Sequence, residues 1–255
     1  MFKVIESKDN PKVKNAQKLA KDATYRNESG LFFASTPKVV MDILADGFTA
    51  QELFFMHGEY DKYQERLEGE NVYMITDPVS DKLSEDRNSQ GVFGIFKMRQ
   101  PDVNAIFSSK NIIVLQDVQD PGNMGAIMRT ALALGYENIV VSEKCADIYS
   151  PKVLRSSMSA SVKLNVMKVS DVALFAEDLN ERGFATIASC LENSLELGSE
   201  IISQPRAIFI GNEGNGLSNE VISACKYKVK IPMSNRIESL NAGVSAAILM
   251  WEFKK

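Results

Sequence analysis

Apolar residues recur along the chain in short runs that are separated by longer segments with helical periodicity. Asn111–Val118 is nearly all apolar, which is typical of a strand buried on both faces. Ala185–Cys190, Ala207–Ile210 and Tyr227–Ile231 are also predicted as strands. Strands that alternate with helices in this way favour an α/β fold with a mostly parallel sheet.

The N-terminal hundred residues predict a smaller α/β unit. Residues 8–28 have a helical pattern, and Asp9-Asn10-Pro11 is a helix-start signal, with a capping side chain followed by Pro in the first turn. Further helices are predicted from Thr36-Pro37 and over Glu59–Leu67. The stretch from Pro101 to Lys110 breaks the periodicity. The predicted boundaries are an N-terminal domain at 1–100, a linker at 101–110 and a C-terminal domain at 111–255.

Helices also alternate with strands in the C-terminal domain. Met124–Leu134 is predicted as a helix that ends at Gly135, and Ser150-Pro151 begins another that reaches about Ser161. Val162–Val169 is predicted to be extended, and Leu240–Phe253 to form the closing helix.

Composition agrees with a soluble globular protein. Of the 255 residues, 45% are hydrophobic and 24% charged. The apolar runs are too short for a membrane helix and the N-terminus lacks a signal-peptide core, so a cytoplasmic protein is expected. The three cysteines, Cys145, Cys190 and Cys225, form no C-x-x-C pair, and we predict reduced thiols and no metal site.

Net charge is −4, which counts mildly against a nucleic-acid-binding protein. The distribution is uneven, since the first thirty residues hold seven basic and four acidic side chains. Several of these cations are spaced three or four residues apart. They form either a solvated helix face or a face that contacts RNA, and both interpretations stay open.

Three polar loops follow predicted strands, at the place where open α/β sheets bind ligands. The middle loop, Gly211–Gly216, is spaced G-x-x-G-x-G and carries Glu213. This order differs from a dinucleotide fingerprint, and no Lys-Ser or Lys-Thr follows as in a P-loop. A carboxylate would also repel phosphate. The loop is therefore either a tight turn or a site that offers backbone contacts.

The two outer loops add side chains with chemistry. Asn123 is predicted at a helix N-cap, and Arg129 lies further along the same helix, where a guanidinium could bind a phosphate. The third loop ends in Ser239-Leu240-Asn241 and is followed by small residues, which indicates close approach of a ligand or of another backbone.

Taken in order, the three loops resemble the motifs of the SpoU/TrmH-type RNA 2′-O-methyltransferases of the SPOUT superfamily. The matching residues are Asn123-Met-Gly125-Ala-Ile-Met-Arg129, Gly211-Asn-Glu213-Gly-Asn-Gly216 and Ile231-Pro-Met233 with Ser239-Leu-Asn241. The resemblance covers about residues 111–255. It implies an α/β methyltransferase domain with a C-terminal trefoil knot and a mostly parallel sheet, preceded by a small α/β substrate-binding domain that resembles a ribosomal protein.

The resemblance also implies S-adenosylmethionine as methyl donor, a homodimer and an RNA substrate, with ribosomal RNA favoured. Transfer RNA as the substrate, or a non-catalytic protein that binds the cofactor and RNA, are the alternatives. The catalytic residues implied are Arg129, Asn123, Glu213, Ser239 and Asn241. The residues implied to bind the cofactor are Gly211, Ile231, Leu240, Met233, Cys190 and Leu191.

The implied reaction is attack of a ribose 2′-hydroxyl on the methyl carbon. Arg129 would act either as the base or as an anchor for the adjacent phosphate, and because a guanidinium is a poor base, the anchor is favoured. Ser35-Thr36 departs from the family, in which Glu-Gly is common at this place, so the RNA target of a relative does not transfer directly to this chain.

Overall fold

The computed structural model describes residues 3–67, 71–84, 89–199, 202–234, 236 and 239–254. The strands in chain order are β1 (Lys3–Ile5), β2 (Leu31–Ser35), β3 (Ala50–Met56), β4 (Val72–Ile75), β5 (Val92–Lys97), β6 (Asn111–Leu115), β7 (Asn138–Ser142), β8 (Asn165–Val169), β9 (Ala185–Ser189), β10 (Leu195–Glu196), β11 (Arg206–Ile210) and β12 (Tyr227–Lys230).

The helices in chain order are α1 (Pro11–Lys21), α2 (Ala23–Ser29), α3 (Pro37–Ala45), α4 (His57–Tyr60), α5 (Asp77–Leu83), α6 (Val103–Phe107), α7 (Pro121–Leu134), α8 (Pro151–Ser156), α9 (Ala160–Lys163), α10 (Val172–Glu181), α11 (Asn219–Ala224) and α12 (Ala242–Phe253). A 3₁₀ turn spans Gln64–Arg66. Among the described residues, no helix combines the length and the apolar character that crossing a bilayer requires.

The chain forms two compact units. The first unit contains Met1–Arg99 and Asp147–Lys163, and the second contains Gln100–Ala146 and Leu164–Lys255. Each unit therefore includes residues from two separate stretches of the chain. The domain boundaries stated from the sequence stay a prediction, and the structure adds that Asp147–Lys163 packs with the N-terminal residues.

The first unit has a five-stranded sheet in the order β1-β4-β3-β5-β2. Strands β1, β4 and β3 are parallel, and β5 runs antiparallel to both of its neighbours. Adjacent residues of a strand point to opposite faces, so Phe32 and Phe33 enter different core clusters. Phe54 and Phe55 divide in the same way, which gives the sheet an aromatic core on both faces.

Asp147–Lys163 is bound into the first unit by an ion pair and by apolar packing. Arg26 is buried, and its guanidinium lies 2.6 Å from the Asp147 carboxylate. Leu154 and Val162 belong to the same core cluster as Phe32. These contacts explain why this segment, which follows β7 in the chain, is part of the first unit.

The second unit has a seven-stranded parallel sheet in the order β10-β12-β9-β11-β6-β7-β8. The run Ile112–Leu115 in β6 is fully buried, as the apolar pattern predicts. Helix α12 packs on α7, where Gly243 allows close approach, because a Cβ at that position would lie 3.3 Å from Cβ of Ala126. The mostly parallel α/β sheet is confirmed, and the strand order is compatible with the implied knot, which stays a prediction.

The three polar loops follow β6, β11 and β12, which lie close together in the order β12-β9-β11-β6. The carboxyl ends of parallel strands meet at one edge of the sheet, so the three loops begin at the same edge. The segment after β9, which contains Cys190 and Leu191, begins there as well.

Several element predictions are wrong in detail. The predicted linker contains helix α6, because Ile106 is buried in the core of the second unit. The helix predicted over Glu59–Leu67 is replaced by the short α4 and the 3₁₀ turn. The extended segment predicted from Val162 begins only at Asn165, since α9 continues to Lys163.

Candidate active site

The loop after β6 leads into α7 through a helix cap. Asp120 is the N-cap residue, and its Oδ1 accepts a hydrogen bond of 2.8 Å from the Asn123 backbone N–H. Pro121 occupies the first turn, so the helix begins three residues earlier than the pattern predicts. The prediction that Asn123 caps this helix is therefore wrong. Because Asp120 satisfies the helix N–H, the Asn123 amide is free for contacts elsewhere.

The loop after β11 requires glycine at its first position. A Cβ on Gly211 would lie 2.1 Å from the carbonyl carbon of Gly216 and 2.2 Å from the backbone nitrogen of Leu217. Asn212 and Gly216 close the loop with two backbone hydrogen bonds of 3.0 and 2.9 Å. The backbone of the loop thus folds back on itself at the end of β11.

Asn212 holds this loop in shape, and the motif reasoning did not single it out. Its Oδ1 accepts hydrogen bonds from the backbone N–H groups of Gly214, at 2.8 Å, and Asn215, at 3.2 Å. Its Nδ2 donates to the Asp117 carbonyl at 2.8 Å, which ties the loop to the one after β6. An Asn two residues before a Gly is a turn signal, and this signal could have identified it.

The third loop ends at the N-cap of α12. The Asn241 side chain accepts hydrogen bonds from the backbone N–H groups of Gly243, at 2.9 Å, and Val244, at 3.3 Å. Ser239, just before it, is exposed. Three other residues of the third loop, Asn235, Ile237 and Glu238, lie outside the described residues.

Side-chain hydrogen bonds join the three loops. The Asn123 Nδ2 donates to Glu213 Oε1 at 2.8 Å, and the Asn241 Nδ2 donates to Asn123 Oδ1 at 2.8 Å. We call Glu213, Asn123 and Asn241 the amide network. Each of the three loops contributes one member, and the cap of α12 fixes the direction of the Asn241 amide. Glu213 and Asn241 are exposed, so the network is accessible to a ligand.

Arg129 is not part of the amide network. It lies six residues after Asn123 on α7, which places it about 120° around the helix. Its side chain is exposed, and no hydrogen bond or ion pair joins it to another residue in the part of the chain that the structure describes. The guanidinium is thus available to an anion, and Glu213 binds Asn123 instead of Arg129.

The residues predicted to bind the cofactor lie along the same sheet edge. Gly211 is buried at the end of β11, and Ile231 and Met233 are half-buried just after β12. Leu240 is half-buried immediately before the cap of α12. These four residues are uncharged and can offer only backbone groups and apolar side chains.

Cys190 and Leu191 follow β9. The Cys190 backbone N–H donates to the Val229 carbonyl at 3.0 Å, which continues the pairing with β12. Burial raises the pKa of the Cys190 thiol, so the thiol is neutral near pH 7. The Leu191 side chain is 56% exposed, an apolar surface at the edge where the polar loops begin.

The chemistry of this edge differs from that of a phosphate or metal site. The loop from Gly211 to Ser218 contains a carboxylate and no basic residue. Among the described residues, no three His, Cys, Asp or Glu side chains lie together as metal ligands would. The described residues of this edge offer amides, backbone groups, apolar side chains and the exposed guanidinium groups of Arg129 and Arg236.

Comparison with known proteins identifies two regions of the chain. Residues 110–251 match the model of the SpoU rRNA Methylase family, and residues 10–94 match the MRM3-like substrate binding domain. The first match covers the amide network, Arg129 and all the residues predicted to bind the cofactor. The second covers most of the N-terminal stretch of the first unit.

Relatives are similar over nearly the whole chain. An uncharacterized tRNA/rRNA methyltransferase of Synechocystis is 30% identical over 98% of this chain and 93% of its own. The 23S rRNA (guanosine(2553)-2′-O)-methyltransferase RlmP of Bacillus subtilis is 25% identical over 99% of this chain and 100% of its own.

Solved structures give the same result. The AdoMet-bound rRNA methyltransferase from Sinorhizobium meliloti superimposes with a TM-score of 0.88 at 26% identity, over 98% of this chain and 97% of its own. Since the family model matches more than half of the residues, in a range that contains the three motif loops, the chain belongs to the SpoU rRNA methylase family.

Proposed function

We propose that this protein transfers the methyl group of S-adenosylmethionine to a ribose 2′-hydroxyl of RNA, with ribosomal RNA as the substrate. The observation that carries the proposal is the amide network. It joins one residue from each motif loop by hydrogen bonds of 2.8 Å at the carboxyl edge of the parallel sheet. The names of the relatives, an rRNA 2′-O-methyltransferase among them, support the reaction and the substrate class.

The residues at the end of the sheet fit S-adenosylmethionine by their chemistry. When bound, this cofactor supplies an electrophilic methyl group on a sulfonium centre. Its adenosine is uncharged and carries no phosphate, which agrees with a loop that contains Glu213 and no basic residue. Gly211, Ile231, Met233 and Leu240 would hold it through backbone groups and apolar contacts. Cys190 and Leu191 would form the opposite wall.

The amide network would position the RNA. Because the Glu213 carboxylate accepts from Asn123, the Asn123 carbonyl is directed to Asn241. The three side chains therefore hold one another in a fixed order. Ser239 is exposed beside Asn241 and is available to hydrogen-bond the attacking hydroxyl.

Arg129 would supply the positive charge. A guanidinium keeps its proton at neutral pH, so it is a poor base but a strong partner for phosphate. We assign it to the phosphate next to the target ribose, where it also stabilises negative charge that develops on the 2′-oxygen. Its exposure on α7 and its freedom from protein partners among the described residues agree with this role.

The enzyme would act as a homodimer. Two exposed apolar side chains, Val244 at 48% and Trp251 at 62%, lie on α12, and Leu132 at 37% lies on α7, against which α12 packs. An exposed apolar surface shared by two packed helices is typical of a contact between subunits.

Light scattering coupled to gel filtration tests the dimer. The double substitution Val244→Ser with Trp251→Ser should give monomers, whereas Leu174→Ser, which alters an equally exposed leucine on α10, should leave dimers. A wild-type protein that is monomeric at micromolar concentration would contradict the assignment.

Mapping of ribose methylation at nucleotide resolution tests the function. Total RNA from cells that lack the gene is compared with RNA from the same cells complemented by the wild type or by Arg129→Ala. We expect one ribosomal site to lose its 2′-O-methyl group and to regain it only with the wild type. A missing site in transfer RNA would keep the chemistry and change the substrate. Loss of no site at all would support the non-catalytic alternative, and restoration by Arg129→Ala would contradict the role assigned to Arg129.

A further inference from the structure

Helix α1 of the first unit has a composition that is unusual in an acidic protein. It contains four lysines and no acidic residue, while the whole chain carries a net charge of −4. Lys14, Lys18 and Lys21 are exposed and are spaced i, i+4 and i+7. They lie within about 60° of one another around the helix and extend over roughly 10 Å. We call them the lysine stripe.

Lys12 shows by contrast what a structural lysine of α1 looks like. Its ammonium forms an ion pair with Glu52 and lies 4.8 Å from the centroid of the Tyr73 ring. The hydrogen bond to Glu52 raises the pKa of Lys12. This cation is therefore satisfied within the first unit.

The lysine stripe is not neutralised in this way. Lys14 pairs with Asp9 at 3.0 Å, but both side chains are largely exposed, so the pair is screened by solvent. Lys18 lies 3.9 Å from the Tyr25 ring centroid, a contact that orients the ammonium without cancelling its charge. Like charges four residues apart destabilise a helix, so the stripe costs the folded protein stability.

Neighbouring residues add to the positive character of this face. Gln17 on α1 donates to the Lys82 carbonyl at 3.0 Å, which places the end of α5 beside α1. The pKa of Asp9 is lowered by its hydrogen bond to Lys14 and, further, by the charge of Lys82. Lys82 thus contributes a fourth exposed cation near the stripe.

We infer that the lysine stripe of α1 binds the phosphate backbone of the substrate RNA. The inference rests on the proposed function for the identity of its partner, and on the exposed, solvent-screened charges of one face of α1 for its location. A row of exposed ammonium groups on one side of a rigid helix matches a row of phosphates, which it contacts without reading the sequence. The stripe lies within residues 10–94, the region that matches a substrate-binding domain.

RNA binding by the full-length protein tests the inference. The triple variant Lys14→Gln, Lys18→Gln and Lys21→Gln is compared with a control that removes the same charge elsewhere, Lys38→Gln, Lys97→Gln and Lys168→Gln, all exposed. The probe is a fluorescently labelled single-stranded RNA of mixed sequence, followed by anisotropy between about 50 and 200 mM KCl.

The stripe variant should lose about 2 units from the slope of log Kobs against log salt, because each phosphate contact on a single strand contributes about 0.7. Its affinity near 0.1 M salt should fall roughly 10- to 100-fold, while the control and a Lys→Arg triple variant stay near the wild type. Equal losses in stripe variant and control, or an unchanged slope, would overturn the inference.

Methyl transfer separates this inference from the proposed function. With S-adenosylmethionine labelled in the methyl group and ribosomal RNA as acceptor, the stripe variant should show a raised KM for RNA and an unchanged kcat. A wild-type protein that transfers no methyl group would refute the proposed methyltransferase function, while the slope of log Kobs against log salt would still test the stripe. An active enzyme whose stripe variant keeps the wild-type KM and slope would refute the stripe alone.

Discussion

The amide network of the second unit and the lysine stripe of the first are built in opposite ways. In the chain, Asn123 is 90 residues from Glu213 and 118 residues from Asn241. The three meet because their loops leave nearby parallel strands. The stripe lies within a single helix and needs only the helical repeat. The network depends on contacts of 2.8 Å, whereas the stripe depends on charge, which acts over about 10 Å at 0.1 M salt. Small displacements should therefore disable the first and leave the second almost unaffected.

The largest effect is expected at Arg129. This residue depends both on charge, like the stripe, and on exact position, like the network. Arg129→Ala should lower the rate of methyl transfer about 100- to 1,000-fold, the cost of removing one group that stabilises developing charge. The affinity for S-adenosylmethionine, measured by calorimetry, should stay within a few-fold. Arg182→Ala removes the exposed arginine that caps the C-terminus of α10 and serves as the control. Substantial turnover by Arg129→Ala would show that charge at this place is dispensable.

A test of geometry alone is available at Gly211. Gly211→Ala brings a Cβ to 2.1 Å from the Gly216 carbonyl carbon, so the loop must open. We expect a loss of about 1 to 3 kcal/mol in the free energy of unfolding and a clear loss of cofactor affinity. Gly214→Ala is the matched control, because the nearest atom would lie at 3.5 Å. Equal behaviour of the two variants in thermal melting and in cofactor binding would contradict the close approach.

A double-mutant cycle separates the network from the stripe. Asn123→Ala and Glu213→Ala should each slow methyl transfer, and the double variant should lose less than the product of the two, with a coupling of about 0.5 to 3 kcal/mol. This loss in kcat should persist as salt is raised, whereas the defect of the stripe variant should shrink because wild-type binding weakens as well. Additive effects of the two substitutions would mean that their hydrogen bond has no part in catalysis.

The smallest effect concerns the thiol on the cofactor side. Burial raises the pKa of Cys190, so the thiolate is scarce at pH 7. Alkylation should therefore accelerate only as the pH rises above the pKa of an ordinary thiol. S-adenosylhomocysteine should slow this reaction several-fold if Cys190 lines the cofactor site. Cys225 is an internal control, since burial raises its pKa to about 12. Mass spectrometry measures the alkylation of both thiols. Equal alkylation of Cys190 with and without S-adenosylhomocysteine would show that Cys190 does not line the cofactor site.

The fold was predictable where local patterns decide it. The apolar runs located β6, β9, β11 and β12, and Asn10-Pro11 located the start of α1, whose cap is Asn10. The start of α7 was missed although Asp120-Pro121 is a signal of the same kind. Helix α6 was missed because a short segment with one buried side chain, Ile106, shows no periodicity.

The sequence motifs named three residues that the structure joins by hydrogen bonds, but they did not predict those hydrogen bonds. The motif order located Asn123, Glu213 and Asn241, but their hydrogen bonds depend on which strands are neighbours in the sheet. Arg129 points away from Asn123 because six residues on a helix correspond to about 120° around its axis. Asn212 was overlooked because its role is to shape the loop rather than to touch a ligand.

The buried pair of Arg26 and Asp147 has a consequence for how the protein is made. The two residues are 121 positions apart, and Leu154 and Val162, which follow Asp147 in the chain, belong to the core cluster that contains Phe32. During synthesis the first unit therefore lacks part of its interior until residue 163 has been made. By then β6, α7 and β7 of the other unit have already been made. The order of folding along the nascent chain is thus not the order of the units. A gene fragment that stops near residue 100 would leave Arg26 without Asp147 and the Phe32 cluster without Leu154 and Val162.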